Sequence, residues 1–227
     1  MPLFLLFIEN YKFASVLSFL CIGVTTFAAM SVYHKEKLID WTLVKYLGLP
    51  LVAMVFLTGF MLKAVSLLWV KFILGLTLVL AGSLMIFAKQ NVSSPKALAE
   101  GYRYAPVFLS PVALVIGAFS GMSGVAGGVF EIPLMTAVLR VPAHKAVATS
   151  SAIVFLASVL GLAGRIVANH QNIDIQPDLL FYILLCAFGG GRIGPKISLK
   201  VSRQKFKKIC GVFVFMIGIY YILQFFS

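Results

Sequence analysis

The feature that most constrains this chain is a series of long segments without Asp, Glu, Lys or Arg. They cover residues 13–33, 46–62, 72–88, 146–164 and 209–226. An apolar helix needs about 17–25 residues to cross the hydrocarbon core of a bilayer, so each can be a crossing. Segment 179–191 is shorter and is expected to run past Arg192, whose long side chain can reach a headgroup. With 61% apolar and 11% charged residues and a mean hydropathy of +1.02, the chain lacks the roughly 25% charged residues of a soluble domain. These features predict an all-α polytopic membrane protein. The net charge of +12 comes from residues between apolar segments, so it reads as a topology signal and lipid-headgroup contact, with no nucleic-acid partner. Cys21, Cys186 and Cys210 lie inside apolar runs without a CxxC pair. Neither a disulfide framework nor a metal site is expected, and no cofactor is implied.

Segment 104–139 is too long for one ordinary crossing. It contains "GAFSGMSGVAGGVFEIP" at 117–133, too apolar for a surface loop and too rich in glycine for a good helix. We read it as one broken crossing, made of a helix, an unwound turn and a half-helix, for about seven crossings in all. The opening "MPLFLLFIE" is too short to span and lacks the basic region and cleavage site of a signal peptide.

The chain also repeats itself. "IDWTLVKYLGLPLV" follows the first span and "IDIQPDLLFYILL" a later one. Asp40 matches Asp174, Ser18 matches Ser150, Pro2 matches Pro133, Gly75 matches Gly211 and Gly82 matches Gly218, in constant order. Internal repeats are a signature of transporter folds. The matched aspartates fall on the same predicted side, so two parallel repeats of up to four transmembrane helices are expected. Residues 1–88 form the N-terminal repeat, 89–104 a linker and 105–227 the C-terminal repeat. The first repeat is incomplete: it has three spans and lacks the broken helix, as if the true start lay upstream. Loops 34–45, 89–103 and 165–178 and the C-terminus would share one side. Lys12, Lys63, Lys71, Arg140, Lys145 and the basic run 192–208 would share the other. The second side is richer in Lys and Arg, which places it and the N-terminus in the cytoplasm and the C-terminus outside.

The run from Gly117 to Gly164 resembles the sulfite exporter TauE/SafE family of anion permeases. The family pattern is G-x-x-S-G-x-x-G-x-G-G-G, a hydrophobic stretch and Pro, then A-x-x-T-S opening the next helix. Gly117, Ser120, Gly121, Gly124, Gly127, Gly128, Pro133, Ala146, Thr149 and Ser150 match it; Ala126 and Glu131 depart from it. The resemblance implies a secondary carrier of small sulfur-containing anions, such as sulfite or organosulfonates, in the bacterial inner membrane. A passive anion channel or a structural membrane subunit is the alternative, and a homo-oligomer is left open.

Unwound backbone in a membrane must be buried in protein or line a cavity. There, open N–H groups and hydroxyls suit an oxyanion. Candidate substrate residues are Ser120, Gly121, Ser123, Gly124, Gly127, Gly128, Thr149 and Ser150, with Ser18 as the first-repeat counterpart of Ser150. No Lys or Arg lies between Arg103 and Arg140, which points to a site built from dipoles. Gly117/Gly121 and Gly124/Gly128 are also small-xxx-small pairs, which pack membrane helices with no ligand at all. Membrane Ser and Thr commonly bond their own helix. Glu131 is a candidate for proton coupling, because a carboxylate in hydrocarbon is costly and marks function. "GMSG" at 121–124 also matches the G-x-S-G of rhomboid intramembrane serine proteases. A nucleophilic Ser123 needs a histidine base, and His34, His144 and His170 all sit at span ends or in loops. "GGGRIGPKIS" at 189–198 is no P-loop, because Pro195 precedes its lysine and no strand leads into it.

Overall fold

The computed structural model describes residues 11–61, 72, 75–76, 78–80, 83, 110–122, 128–135, 139, 141–168, 177–198, 212, 215–220 and 222–223. The opening stretch 1–10, the linker 89–104 and the basic residues after Ser198 lie outside them. Every described element is helical. In chain order they are α1 (Tyr11–Lys35), α2 (Trp41–Leu43), a π-turn (Val44–Gly48), α3 (Leu49–Met61), α4 (Ser110–Met122), α5 (Gly128–Pro133), α6 (Ala143–Ala168) and α7 (Pro177–Ser198). Four stretches are long and apolar enough to cross a membrane: Ser15–Lys35, Trp41–Thr58, His144–Val167 and Leu180–Ile197.

Local chemistry explains the ends. α1 closes where the Lys37 amide donates to the His34 carbonyl and the Leu38 amide to that of Tyr33. Lys37 takes the left-handed conformation this closure needs, at φ 52°. Asp40 then caps α2, its carboxylate accepting from the amides of Thr42 and Leu43. Pro50 has no N–H for the Tyr46 carbonyl, so the ladder loosens into the π-turn just before it.

α6 is the central element, flanked by α1 and α3, with α7 packed on α1. The core between them contains Phe19, Leu47, Leu51, Val55, Ile153 and Ala157, all buried. Glycines let the helices approach. A Cβ at Gly161 would lie 2.5 Å from Phe19 Cε1 and 2.8 Å from Val55 Cγ1. One at Gly164 would lie 2.7 Å from the Phe56 carbonyl.

Contacts also set the directions. Ser15 meets Arg165, Phe19 meets Gly161, and Phe27 meets Phe155, so α1 runs antiparallel to α6. Gly48 lies against Ile153 and Phe56 against Gly164, so α3 runs parallel to α6. The described residues in 72–83 and 212–223 also pair antiparallel, Gly75 against Ile222 and Val79 against Gly218.

This corrects the expectation of parallel repeats. α1 and α6 are the matched spans, and 72–83 and 212–223 belong to the other matched pair. Both pairs pack antiparallel, where parallel repeats would set them in the same direction. Asp40 lies at the N-terminal end of α6, where its amide donates to Thr149 Oγ1 at 3.0 Å. Asp174 follows the other end of α6 in the chain. Loop 34–45 and Lys145 therefore share an end, where the charge count had separated them.

The physical reason lies in segment 104–139. In α4, Gly117 sits against Leu51 and Met54, and Gly121 against Thr58, so α4 runs with α3 and α6. In α5, Gly128 lies against Val154 and Glu131 against Ser150, and the chain continues to Val141 and the start of α6. α5 thus runs against α6. Two legs in opposite directions do not make the single crossing expected, and that change of parity reverses the direction of α6.

Candidate functional site

The expected site residues fall into two groups at opposite ends of α6. Ser150 and Arg165 are fifteen positions apart, about 22 Å along a helix axis.

At the Asp40 end, α5 packs on the first turns of α6. Glu131 is fully buried, and Ser150 Oγ donates to its Oε2 at 2.8 Å. Glu131 Oε1 has no hydrogen-bond partner among the described residues. A Cβ at Gly128 would lie 2.9 Å from Val154 Cγ2 and 3.5 Å from Ser150 Oγ, so only glycine lets α5 settle this closely. Thr149 is buried beside Ser150, but its hydroxyl oxygen accepts the Asp40 amide. Ser150 lies seven positions into α6, about 10 Å from its start. Glu131 therefore does not reach water at the helix end. It sits in the protein interior.

At the other end, α4 closes against α3 and α6. Ser120 is buried, and Gly121 faces Thr58 of α3. The contacts of Gly117 and Gly121 are those of close helix packing. Ser18 is buried on α1 at this end, one turn from Ser15, which meets Arg165. It is thus remote from its repeat counterpart Ser150. Ser123, Gly124 and Gly127 lie outside the described residues; in the chain they connect the two groups.

The residue that sequence reasoning missed is Arg165. It was expected in a loop as a topology charge, and the site was expected to hold no fixed cation. Arg165 is instead 1% exposed. Its Nε donates to Ser15 Oγ at 2.6 Å, its Nη1 to the Gly161 carbonyl at 3.0 Å and its Nη2 to the Gly121 carbonyl. Its guanidinium carbon lies 3.9 Å from the Phe19 ring centre. Helical side chains lean toward the N-terminus, so Arg165 reaches back toward Gly161 and away from the end of α6. No local signal marked it: Gly161 and Gly164 before it pack against Phe19, Val55 and Phe56, and a Lys or Arg at the end of an apolar run reads as a topology charge.

No group of three metal-ligating residues occurs among the described residues. His34 and His144 are exposed at the Asp40 end. Ser123 and His170 lie outside the described residues.

A family model described as "Sulfite exporter TauE/SafE" matches residues 1–221. The chain belongs to the sulfite exporter TauE/SafE family. It is 29% identical over 119 residues to "Probable membrane transporter protein YunE" of Bacillus subtilis, a match covering 52% of this chain and 41% of that one. It is 32% identical over 117 residues to "Probable membrane transporter protein MamO" of Paramagnetospirillum magneticum, covering 50% and 18%. A longer match, 24% identical over 214 residues, is to "Probable membrane transporter protein MJ0441" of Methanocaldococcus jannaschii, covering 90% and 78%. The chain thus spans less than half the length of the first two relatives. No solved structure matches it. In this TauE/SafE member, the motif glycines that are described pack helices, while Ser150 and Glu131 form a buried polar pair.

Proposed function

We propose that the protein is a secondary carrier of a small sulfur-containing anion, such as sulfite or an organosulfonate, across the bacterial inner membrane. The observation that carries this reading is the pair of buried polar groups at the two ends of α6, joined in the chain by residues 122–127. Ionisable side chains inside apolar helices are costly and mark transport pathways by default. Membership of a membrane transporter family supports the same reading, and the family description supplies the substrate class. In this mechanism the substrate passes between the two groups, and the backbone and hydroxyls of Ser120, Ser123, Gly124, Gly127 and Gly128 contribute donors. Glu131 takes up and releases the coupling proton. Ser150 holds the carboxyl in place through one oxygen, and the other oxygen exchanges the proton.

Exposed Lys35, Lys37, Lys45 and Lys145 gather at the Asp40 end. We infer from the positive-inside rule that this end faces the cytoplasm and the start of α1 lies outside, the reverse of the expectation from the charge count.

Counterflow of sulfite in proteoliposomes tests the carrier. Unlabelled sulfite inside should accelerate uptake of labelled sulfite. Sulfite flux without such acceleration identifies a passive channel. Gly128→Leu, which pushes α5 off Val154, should abolish uptake while the protein still inserts. Full transport in that variant refutes a site at α5.

A further inference from the structure

Arg165 and Glu131 are the charged side chains that are fully buried among the described residues, and they lie at opposite ends of α6. Glu131 has a place in the carrier reading above. Arg165 has none, and among the described residues its charge is uncompensated. A guanidinium has five N–H donors. Three are used, and all three acceptors, Ser15 Oγ, Gly161 O and Gly121 O, are neutral. The Phe19 ring beneath it is neutral as well. No carboxylate of the described residues stands within ion-pair distance of it. One N–H on each of Nη1 and Nη2 remains unengaged, which leaves two charged donors for an oxyanion.

We propose that Arg165 pairs with the transported anion where α4 meets the glycine stretch. This rests on the anion-carrier reading. Arg165 holds the Gly121 carbonyl, and Ser123 and Gly124, expected to meet substrate, follow Gly121 in the chain. A purely structural clamp between α1, α4 and α6 is the competing role. Hydrogen bonds alone satisfy a clamp, and neutral donors would make them at a smaller desolvation cost than a buried cation. The charge is what a clamp leaves without purpose. An oxyanion arriving from one side of the membrane supplies the missing counter-charge, and the engaged Ser15 and Gly121 contacts keep the fork oriented toward it.

The experiment uses the purified full chain. Sulfite, thiosulfate and sulfate are screened for thermal stabilisation, with chloride as control, and binding of any stabilising oxyanion is titrated. Arginine modification by phenylglyoxal is then mapped at Arg165 with and without that oxyanion. The expected result is protection of Arg165 by the anion and a loss of affinity of roughly 10- to 100-fold in Arg165→Gln, with an intermediate loss in Arg165→Lys. Oxyanion binding with equal modification of Arg165 in its presence and absence, and equal affinity in Arg165→Gln, overturns the proposal and leaves the carrier reading standing. No stabilisation by any of the oxyanions, together with no sulfite counterflow, overturns the carrier reading and this proposal with it. If Arg165→Gln fails to fold, protection in the unmodified sequence decides alone.

Discussion

At the scale of single residues, hydroxyl partners separate structural from candidate functional positions. Thr25, Thr26, Thr58, Ser151 and Ser158 all bond carbonyls of their own helices. That is the ordinary fate of a hydroxyl in an apolar helix. Ser150 leaves its helix to reach Glu131 of α5. Ser150→Ala should leave a second Glu131 oxygen without a donor and destabilise the protein by about 1–3 kcal/mol, read as a lower midpoint in thermal unfolding in detergent. Glu131→Gln should keep most of the stability, because an amide oxygen still accepts from Ser150. If Glu131 carries the coupling proton, this variant should also flatten the dependence of transport on pH. An unchanged pH profile excludes Glu131 as the coupling group.

At the scale of elements, the glycines divide by what stands opposite them. A Cβ at Gly117 would lie 2.6 Å from the Leu51 carbonyl, and one at Gly164 would lie 2.7 Å from that of Phe56. Backbone cannot move aside as a side-chain tip can, so Gly117→Ala and Gly164→Ala should separate α4 or α6 from α3. Each should cost about 1–3 kcal/mol. Among the described residues, nothing stands within 4 Å of a Cβ at Gly189 or Gly190 of α7. Gly190→Ala should therefore leave the unfolding midpoint unchanged or raise it. Equal losses in all three variants would show that helix packing is not what selects these glycines. The small-xxx-small pattern at Gly117 and Gly121 was legible in the sequence, but its partner helix was not. α3 precedes α4 by about fifty positions, and no local period encodes that approach.

At the scale of the whole molecule, the spans paired by the sequence repeat, α1 and α6, pack antiparallel. Lys37 and Lys145 lie together at the Asp40 end, and Lys12 lies in the first turn of α1 at the other end. Single cysteines at Lys37 and Lys145, in a background without the native cysteines, should react with a membrane-impermeant maleimide from the same side. A cysteine at Lys12 should react from the opposite side. Labelling of positions 37 and 145 from opposite sides would restore the parallel arrangement and overturn the antiparallel one.

The sequence by itself determined the helical membrane class, four of the apolar spans and the family. These follow from local demands. Backbone in hydrocarbon must satisfy its hydrogen bonds within a helix, and long uncharged runs record that requirement directly. It also singled out Glu131 and Ser150, since polar groups stand out against apolar helices, and the structure brings the two together. Only the tertiary structure decided which way the spans run and which polar groups meet. Direction depends on parity, and one leg that doubles back reverses every later span without altering hydropathy. Arg165 and Ser15 are 150 positions apart, so their meeting, and with it a buried cation beside "GAFSGMSG", is set by the packing of α1, α4 and α6 and by no pattern along the chain.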